Sequence, residues 1–409
     1  MINSKYTIKI SDAFALFALL SISFLNSSYN IRYILMIITA IWLFLMYGKK
    51  RNNPKIKGMY SYIPILIVLL GGCSLLNSGY WSTGYLRYGL LLYETAIAYF
   101  IYFNISDFKR IFYRYFVALI WINLFLMIFM RETSFYTYYT GESLFRGIYY
   151  EKNTLGFNMV MGLPFFVGEI SEEDGIKKKV KNIFYILTSF TFIYLSKSTT
   201  SLLIGILICV AVFLNKDSVM KLARIFPILA LAFVLYLVNY EAVINSSLNV
   251  MIDRILGKGM DFSGRSTLWF FSLQLISRRP LFGYGYNGFW SDTANAKIAM
   301  NTAGFAAVGY HAHNGYLELL VSVGIIGTAI FAIILLNIYV QLRKKDVLQW
   351  FTKGEILLFI IILVGNFIWN NLFDTGFVWA YLIMLFLRVD VYKKNTLRGR
   401  CVLQYARRE

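Results

Sequence analysis

The sequence predicts an all-α, polytopic membrane protein with about 12 transmembrane helices and a large external loop that contains an amphipathic helix. Of its 409 residues, 58% are hydrophobic and only 15% are charged, and the mean hydropathy is +0.59. Soluble chains carry about 25% charged residues. Here the charges form short clusters between apolar runs, and these runs often reach the ~20 residues that a bilayer core requires.

The apolar runs define the predicted helices along the chain. They lie near residues 12–28, 31–47, 59–77, 85–103, 113–130, 156–170, 183–197, 201–214, 225–238, 316–340, 356–372 and 376–389. Two connections exceed the ~15 residues beyond which loops are usually functional or disordered. The chain thus divides into residues 1–238, with nine helices and an external loop at 131–155, a large external loop at 239–315, three helices at 316–389, and a basic tail at 390–409.

The distribution of Lys and Arg predicts the orientation of these helices. If the N-terminus is cytoplasmic, the segments on that side hold 28 of the 40 basic residues, as the positive-inside rule requires of short cytoplasmic loops. Both termini are therefore expected in the cytoplasm. The net charge of +19 does not indicate nucleic-acid binding, because no basic stripe interleaved with stacking aromatic residues occurs.

The large external loop has the composition of a folded segment. Between residues 266 and 276, apolar side chains share one helical face, and Arg278–Pro280 ends the run. This pattern predicts an amphipathic helix that lies at the outer membrane interface.

A glycine-rich run, GYGYNG, follows in the same loop. Gly283, Gly285 and Gly288 satisfy the dinucleotide pattern G-x-G-x-x-G. That pattern requires a preceding strand and a following helix in a βαβ unit, and neither is expected here. We interpret the run as a tight turn that uses glycine dihedrals, followed by an aromatic anchor, Phe289–Trp290, at the interface.

The chain has two histidines, and both lie in the run from His311 to Glu318, HAHNGYLE. Imidazole is suited to proton transfer near neutral pH, so the pair indicates a catalytic site. If the tenth helix begins early, His311, Asn314 and Glu318 share one face, whereas His313 projects from another. Simple hydrogen bonding of both rings at the interface is the alternative. Two histidines without a third ligand are a weak metal pattern, and we predict neither a metal nor a cofactor.

Three cationic residues on the external side complete a possible constellation. Arg265 begins the amphipathic helix, Arg146 precedes the sixth helix, and Lys197 lies in a short turn. Guanidinium groups bind phosphate bidentately, so these residues are candidates for holding a lipid diphosphate. Pairing with acidic neighbours or lipid headgroups is the alternative. Arg87 and Glu94 lie on one face of the fourth helix, and we interpret them as a helix-packing pair.

Several short motifs occur together in the second half of the chain. They are Ser263-Gly264-Arg265 with Trp269, Pro280-Leu281-Phe282-Gly283-Tyr284-Gly285, the run from His311 to Leu320, and Gly324-Ile325-Ile326-Gly327. In this order the motifs resemble the O-antigen ligase/Wzy-type polymerase superfamily. Arg146 with Asn153, and the turn Ser196–Thr199, resemble its weaker upstream motifs, although Lys197 precedes Ser198 where a common family form has Arg after Ser. The first 130 residues match only in hydropathy.

The resemblance implies an inverting, metal-independent glycosyl transfer at the outer face of a bacterial plasma (inner) membrane. The implied donor is a glycan on undecaprenyl diphosphate. His313, or alternatively His311, would orient or deprotonate the acceptor hydroxyl, and Arg265 with Arg146 would stabilise the departing diphosphate. The other residues implied in substrate binding are Asn153, Lys197, Asn314, Glu318, Tyr284 and Trp269.

Polymerase and ligase share this chemistry and differ in the acceptor, which is a second lipid-linked repeat unit or the lipid A core sugar. The full AHNGYLELL and GYGYNGFW runs resemble those of polysaccharide polymerases, so the resemblance implies a polymerase, with an O-antigen ligase as the alternative. A chain-length regulator and a flippase are the protein partners this reading suggests. A lipid-linked sugar transporter is a third alternative. Transporters of that kind place polar residues along a midplane path and are often built from related halves, features that the sequence does not display.

Overall fold

A computed structural model of the protein describes most of the chain. The described residues are 10–25, 62–104, 107–137, 141–172, 175–211, 213–256, 265–302, 311–373 and 376–389, with the isolated helical positions 34, 37–39 and 41. The predicted second helix, near 31–47, lies largely outside the described residues, as do the basic tail at 390–409 and the motif residues Ser263 and Gly264.

The described chain is mostly helical. The helices are α1 (Ile10–Leu25), α2 (Ile63–Ser78), α3 (Trp81–Asn104), α4 (Phe108–Phe129), α5 (Arg131–Ser134), α6 (Lys152–Glu172), α7 (Ile176–Leu195), α8 (Thr199–Ala211), α9 (Lys216–Leu222), α10 (Ile225–Val238), α11 (Tyr240–Ile244), α12 (Ser247–Leu256), α13 (Arg265–Arg278), α14 (Gly288–Ser291), α15 (Thr293–Thr302), α16 (Gly315–Leu342), α17 (Lys345–Leu348), α18 (Lys353–Gly365) and α19 (Phe377–Val389). Strands β1 (Phe135–Thr137) and β2 (Ser143–Phe145) form an antiparallel hairpin between α5 and α6.

Among the described residues, three helical segments are long and apolar enough to cross a membrane. They are Phe108–Phe129, Lys216–Val238 and Gly315–Leu342. Shorter apolar stretches include Ile63–Ser78 and Phe377–Val389. The prediction of an all-α membrane protein agrees with these helices, while the count of twelve crossings stays a prediction.

The main apolar core lies where α1, α4, α6, α18 and α19 meet. Aromatic rings interlock there, with centroids 5.9 Å apart for Phe112 and Phe165 and 4.9 Å apart for Phe116 and Phe377. Helix α6 and helix α18 approach closely at Gly354, where an added Cβ would lie 2.5 Å from the Pro164 carbonyl oxygen. This contact holds α18 against the bundle, and the C-terminal end of α18 leads into the candidate site.

A buried ion pair stabilises the opposite end of α18. The carboxylate of Glu355, in the first turn, accepts from the Arg388 guanidinium near the end of α19, and both side chains are buried. The guanidinium also lies 4.6 Å from the ring centroids of Phe108 and of Phe351. Glu355 also forms a capping box with Thr352. The same carboxylate therefore caps the start of α18 and connects α18 to α19.

Helix α16 is broken at Gly324, whose φ of 64° and ψ of −167° are not helical. The backbone groups freed by the break pair with the glycine-rich loop before α14. Tyr284 N and Gly285 N donate to Val321 O and Ser322 O at 2.8 Å each, and Ile325 N donates to Pro280 O at 2.8 Å. Irregular backbone at membrane depth is tolerated where protein satisfies its polar groups, and this loop satisfies them.

The glycine-rich run therefore forms a turn, as the sequence predicted. Gly283 and Gly285 have positive φ values of 68° and 85°, which only glycine adopts readily. The interpretation of Phe289–Trp290 as an interfacial anchor is wrong, because both side chains are buried at 5% and 1% exposure in an apolar cluster with α13.

Two further predictions meet different outcomes. The amphipathic helix over 266–276 is present as α13, with Leu268 and Leu275 buried. The predicted helix over 356–372 ends early, at Gly365. The side chain of Asn366 turns the chain there, because its Nδ2 donates to Ile362 O at 2.7 Å and its Oδ1 accepts from Asn371 N at 2.9 Å.

Candidate active site

An open cavity of about 640 Å³ lies where irregular segments of the chain meet. Its walls come from α3, the start of α6, the turn before α8, the first residue of α13, the segment before α16 and the segment after α18. The lining residues are Arg87, Tyr150, Glu151, Asn153, Thr154, Phe157, Ser198, Thr200, Arg265, His311, His313, Ile368, Trp369, Asn370 and Asn371. Both histidines therefore lie in the same cavity as Arg265 and Asn153.

The two histidines precede α16 and do not lie on it. Asn314 is the N-cap residue, and its Oδ1 accepts from Tyr316 N at 3.0 Å and from Leu317 N at 3.1 Å. The early helix start, which would place His311, Asn314 and Glu318 on one face, is therefore not observed. Glu318 still contacts the segment, because its Oε2 accepts from Ala312 N at 2.9 Å.

Asn314 and Glu318 thus hold the turn that carries the histidines. Asn314 is fully buried, Glu318 is 6% exposed, and the Asn314 Nδ2 donates to Phe367 O at 3.0 Å. Asn314 fastens the turn to the segment after α18, and Glu318 fastens it to the first turn of α16. In this geometry Asn314 is a positioning residue, whereas Glu318 also reaches a second, smaller cavity.

The imidazole rings lie against each other at the cavity wall. Their centroids are 4.2 Å apart in an edge-to-face arrangement, and His313 N donates to His311 Nδ1 at 3.4 Å. His313 has a φ of 52°, a left-handed conformation that non-glycine residues adopt rarely and that often marks functional sites. This backbone conformation brings the two rings together.

Both imidazoles are held neutral at pH 7. Burial, followed by the charges of Arg265 and Arg87, lowers the pKa of His311 to about 4. Burial also lowers the pKa of His313 well below its ordinary value, with His311 and Arg265 adding to the effect. Both rings are therefore in the neutral form, which can accept a proton, and the lowered pKa values make each ring a weaker base than a free imidazole.

Arg265 is the first residue of α13, and its guanidinium reaches the cavity. Its Nη1 donates to Ile368 O at 3.1 Å, which links α13 to the segment after α18. Burial lowers the pKa of Arg265, although an arginine keeps its charge in proteins. The remaining guanidinium hydrogens leave capacity for an anionic ligand.

Arg87 is a site residue that the sequence interpretation assigned to helix packing. The carboxylate of Glu94, its proposed partner, accepts from Gly376 N at 2.8 and 2.9 Å. Arg87 lines the cavity, and its charge acts on His311. A charge inside a hydrophobic helix was the signal available from the sequence, because such charges are functional by default.

A second, smaller cavity of about 40 Å³ shares part of the wall of the first. It is lined by Arg87, Tyr286, Asn287, His311, Glu318, Ser322, Asn370 and Phe373. Arg87, His311 and Asn370 border both cavities. The polar wall around His311 thus extends to the glycine-rich loop.

The start of α6 contributes polar groups to the main cavity. Asn153, a predicted substrate-binding residue, lines it together with Glu151 and Thr154. Burial raises the pKa of Glu151. Ser198 of the upstream turn and Thr200 in the first turn of α8 also line the cavity, so this region contributes hydroxyl groups.

Arg146 and Lys197 do not line the cavity. Arg146 Nη2 donates to Thr133 O at 3.3 Å and its Nη1 to Tyr150 O at 3.5 Å, so it braces the hairpin before α6. Lys197 forms a 2.6 Å ion pair with Glu142, and both side chains are about half exposed. The ion pair of Lys197 matches the alternative of pairing with an acidic neighbour, whereas Arg146 donates to backbone carbonyl oxygens.

Tyr284 and Trp269 also lie away from the cavity lining. Both are buried, at 7% and 2% exposure, in the apolar cluster between α13 and the glycine-rich loop. The ring of Trp269 packs edge-on against Phe233 at 5.0 Å. Burial leaves little of either ring for stacking on a sugar.

The segment after α18 was missed as a source of site residues. Trp369, Asn370 and Asn371 line the cavity, whereas the sequence pattern placed them inside a helix. The signal was the asparagine pair, because asparagine favours turns and interrupts an apolar run. Among the described residues, no group of three or more His, Cys, Asp or Glu side chains could hold a metal ion.

Comparison with known proteins gives one finding for this region. A family model described as O-antigen ligase matches residues 184–332. The matched stretch runs from α7 to the middle of α16 and contains Arg265, His311 and His313. The search of curated proteins found no match to the chain.

Proposed function

We propose that the chain is a polysaccharide polymerase of the O-antigen ligase/Wzy-type superfamily, because a family model described as O-antigen ligase matches residues 184–332. It joins repeat units carried on undecaprenyl diphosphate at the outer face of a bacterial inner membrane, with inversion at the anomeric carbon. The observation that carries the proposal is the cavity that holds two neutral imidazoles and the guanidinium of Arg265.

The proposed reaction is a single displacement. The acceptor hydroxyl oxygen attacks the anomeric carbon of the donor, the bond from that carbon to the diphosphate oxygen breaks, and its electron pair leaves on the diphosphate. A histidine takes the hydroxyl proton. Arg265 stabilises the charge that grows on the diphosphate, a type of preorganised electrostatic effect that often dominates catalysis. Diphosphate is a good leaving group, so no general acid is required.

The hydrogen bond from the backbone N of His313 to the ring of His311 supports His313 as the base. His311 Nδ1 accepts from His313 N, so the neutral His311 ring carries its proton on Nε2 and can donate there. That tautomer suits His311 to orienting the acceptor by a hydrogen bond. His313 then takes the proton.

His313→Ala should lower turnover by about 100- to 10,000-fold, the usual effect of removing one general base. His311→Ala should cost less, because positioning is a smaller task. Turnover would be measured on purified protein with a lipid-linked repeat unit. Arg131→Gln is the control for folding and expression, because Arg131 is exposed and does not line the cavity. Its guanidinium lies over the Phe135 ring. Wild-type turnover in His313→Ala would contradict the catalytic assignment.

Arg265 provides a second test of the same site. Arg265→Ala should remove most activity, and Arg265→Lys should retain only a fraction, because an ammonium does not reproduce the bidentate fork of a guanidinium. Full activity in Arg265→Lys would reduce the residue to a simple counter-charge. EDTA should leave activity unchanged, whereas a loss restored by a divalent ion would refute the metal-independent reaction.

We prefer the polymerase to the ligase because the full AHNGYLELL and GYGYNGFW runs resemble those of polysaccharide polymerases. Cells that carry His313→Ala separate the two enzymes. A polymerase lesion leaves single repeat units on the final acceptor and no long chains. A ligase lesion leaves the acceptor bare while lipid-linked polymer accumulates. A transporter lesion would instead leave the lipid-linked units on the cytoplasmic side.

The location of the site at the outer face is tested separately. Ala294, in α15, is exposed. In a background without native cysteines, Ala294→Cys should react with an impermeant thiol reagent added outside, and a reporter fused after Glu409 should report cytoplasm. Labelling of Ala294→Cys only from inside would overturn the orientation and the external site.

A further inference from the structure

We propose that Arg87 is the second guanidinium that binds the diphosphate of the lipid-linked donor, acting together with Arg265. This assignment rests on the proposed function and goes beyond it, because the family match at residues 184–332 does not include α3. It also replaces Arg146, which the sequence suggested for this role and which braces the hairpin before α6.

Arg87 lies on the wall of two adjoining cavities. It borders both the main cavity and the smaller cavity, as His311 and Asn370 do. Arg265 borders the main cavity from another element, α13. Two guanidinium groups from separate elements thus reach one polar space, and each can offer two parallel hydrogen bonds to phosphate oxygens.

Arg87 has no structural role among the residues that the structure describes. The guanidinium forms neither a hydrogen bond nor an ion pair with any residue that the structure describes. Glu94, seven residues along α3, binds Gly376 N with both carboxylate oxygens. Arg87 is exposed and lines the main cavity, so its guanidinium is available to an anionic ligand there.

The charges of Arg87 and Arg265 act on the same imidazole ring. Arg87 and Arg265 are the two charged groups that act on His311, so both lie close enough for their fields to meet at that ring. A bound diphosphate would neutralise both fields. The carboxylate of Glu318, which lines the smaller cavity, accepts from Ala312 N and Ser322 Oγ. Donor binding would then make His311 more basic at the time of reaction.

The two histidines allow a direct test that does not depend on turnover. Purified protein labelled with ¹⁵N-histidine would be titrated with inorganic pyrophosphate while the two imidazole signals are followed, with His313→Gln used to assign them. In the wild type, pyrophosphate should move the His311 signal and raise its pKa. Arg87→Gln should raise the His311 pKa without ligand and weaken pyrophosphate binding by about 10- to 100-fold, the effect of losing hydrogen bonds to a charged group.

Two variants keep the comparison sharp. Arg87→Lys retains the charge without the fork and should bind pyrophosphate with intermediate affinity, which also covers the case in which Arg87→Gln does not fold. Arg131→Gln changes the net charge equally outside the cavity and should bind as the wild type does. Equal affinity in wild type and Arg87→Gln, or no binding to the wild type, would overturn the assignment.

A transfer assay separates this proposal from the proposed function. If Arg87→Gln turns over lipid-linked donor with wild-type KM and kcat, the enzyme assignment stands and the role of Arg87 is wrong. If pyrophosphate binds through Arg87 but the wild type transfers no glycan, the anion site stands and the polymerase assignment fails.

Discussion

Gly324→Ala tests whether the broken helix α16 is built as described. The glycine has a φ of 64° and a ψ of −167°, a region that is essentially restricted to glycine and costs other residues about 1–3 kcal/mol. An added Cβ would also lie 2.3 Å from Leu281 O, so backbone must move. The bonds from Ile325 N to Pro280 O and from Ile326 N to Leu281 O, at 2.8 and 3.2 Å, would lengthen, each worth about 0.5–1.5 kcal/mol. The combined loss of unfolding free energy is about 2–6 kcal/mol.

The assay is denaturant unfolding of purified protein in detergent, followed by far-UV circular dichroism. Gly89→Ala is the matched control, because Gly89 lies inside α3 and a Cβ there meets nothing within 4 Å. It should leave stability unchanged or raise it by about 0.5–1 kcal/mol, since alanine favours a helix over glycine. If Gly324→Ala unfolds within about 0.5 kcal/mol of the wild type, a shift typical of an ordinary surface substitution, the break and its pairing loop are wrong.

Three other predictions address the charges and the site. Because the pKa of His311 falls from 6.5 to about 4 on folding, the unfolded chain binds a proton that the folded chain excludes. The contribution of His311 to the unfolding free energy should therefore be complete above pH 6.5 and fall by about 3 kcal/mol toward pH 4, and unfolding scans of His311→Gln should show a smaller fall over this range. Replacing one partner of the buried Glu355–Arg388 pair should lower the free energy of unfolding by about 3–5 kcal/mol, whereas Glu355→Leu combined with Arg388→Met should lower it much less. A double-mutant cycle of unfolding experiments measures both effects. Glu318→Ala removes the acceptor of Ala312 N and should lower kcat with little change in donor KM, whereas Glu318→Gln, which keeps an acceptor, should retain most of the activity in steady-state assays.

The sequence was sufficient for most helices because hydrophobic runs dominate their formation. Helix α10 begins and ends where the pattern placed it, at residues 225–238. The break at Gly324 could not be predicted in the same way. Its dihedrals are affordable only because Pro280–Gly285 supplies hydrogen-bonding partners from another part of the chain, and no local pattern reports that contact.

The residues of the candidate site also differ in how far the sequence could predict them. Arg265, His311 and His313 were identified from residue chemistry, and the cavity does bring them together. Arg146 and Lys197 were chosen by the same reasoning, but their location depends on which neighbours fold against them. For Arg87 the error was the opposite one, because it was assigned to helix packing and lines the cavity. Its spacing from Glu94 suggested an ion pair, but the Glu94 carboxylate accepts from Gly376 N instead. Charge type can be read from sequence, whereas the partner of a charge depends on tertiary structure.

The position of the two histidines also depends on the segment after α18. Hydrogen bonds to this segment hold the turn before α16, so the early end of α18 and the late start of α16 belong together. Gly315 N donates to Asn366 O at 2.8 Å, and Asn314 Nδ2 donates to Phe367 O at 3.0 Å. Arg265 Nη1 donates to the next carbonyl oxygen, that of Ile368, at 3.1 Å. Three successive carbonyl groups released by the end of α18 are thus used to place the base-bearing turn and the phosphate-binding arginine relative to each other. A continuous helix over 356–372 would have bonded these carbonyls internally, so its early end is a condition for assembling the site.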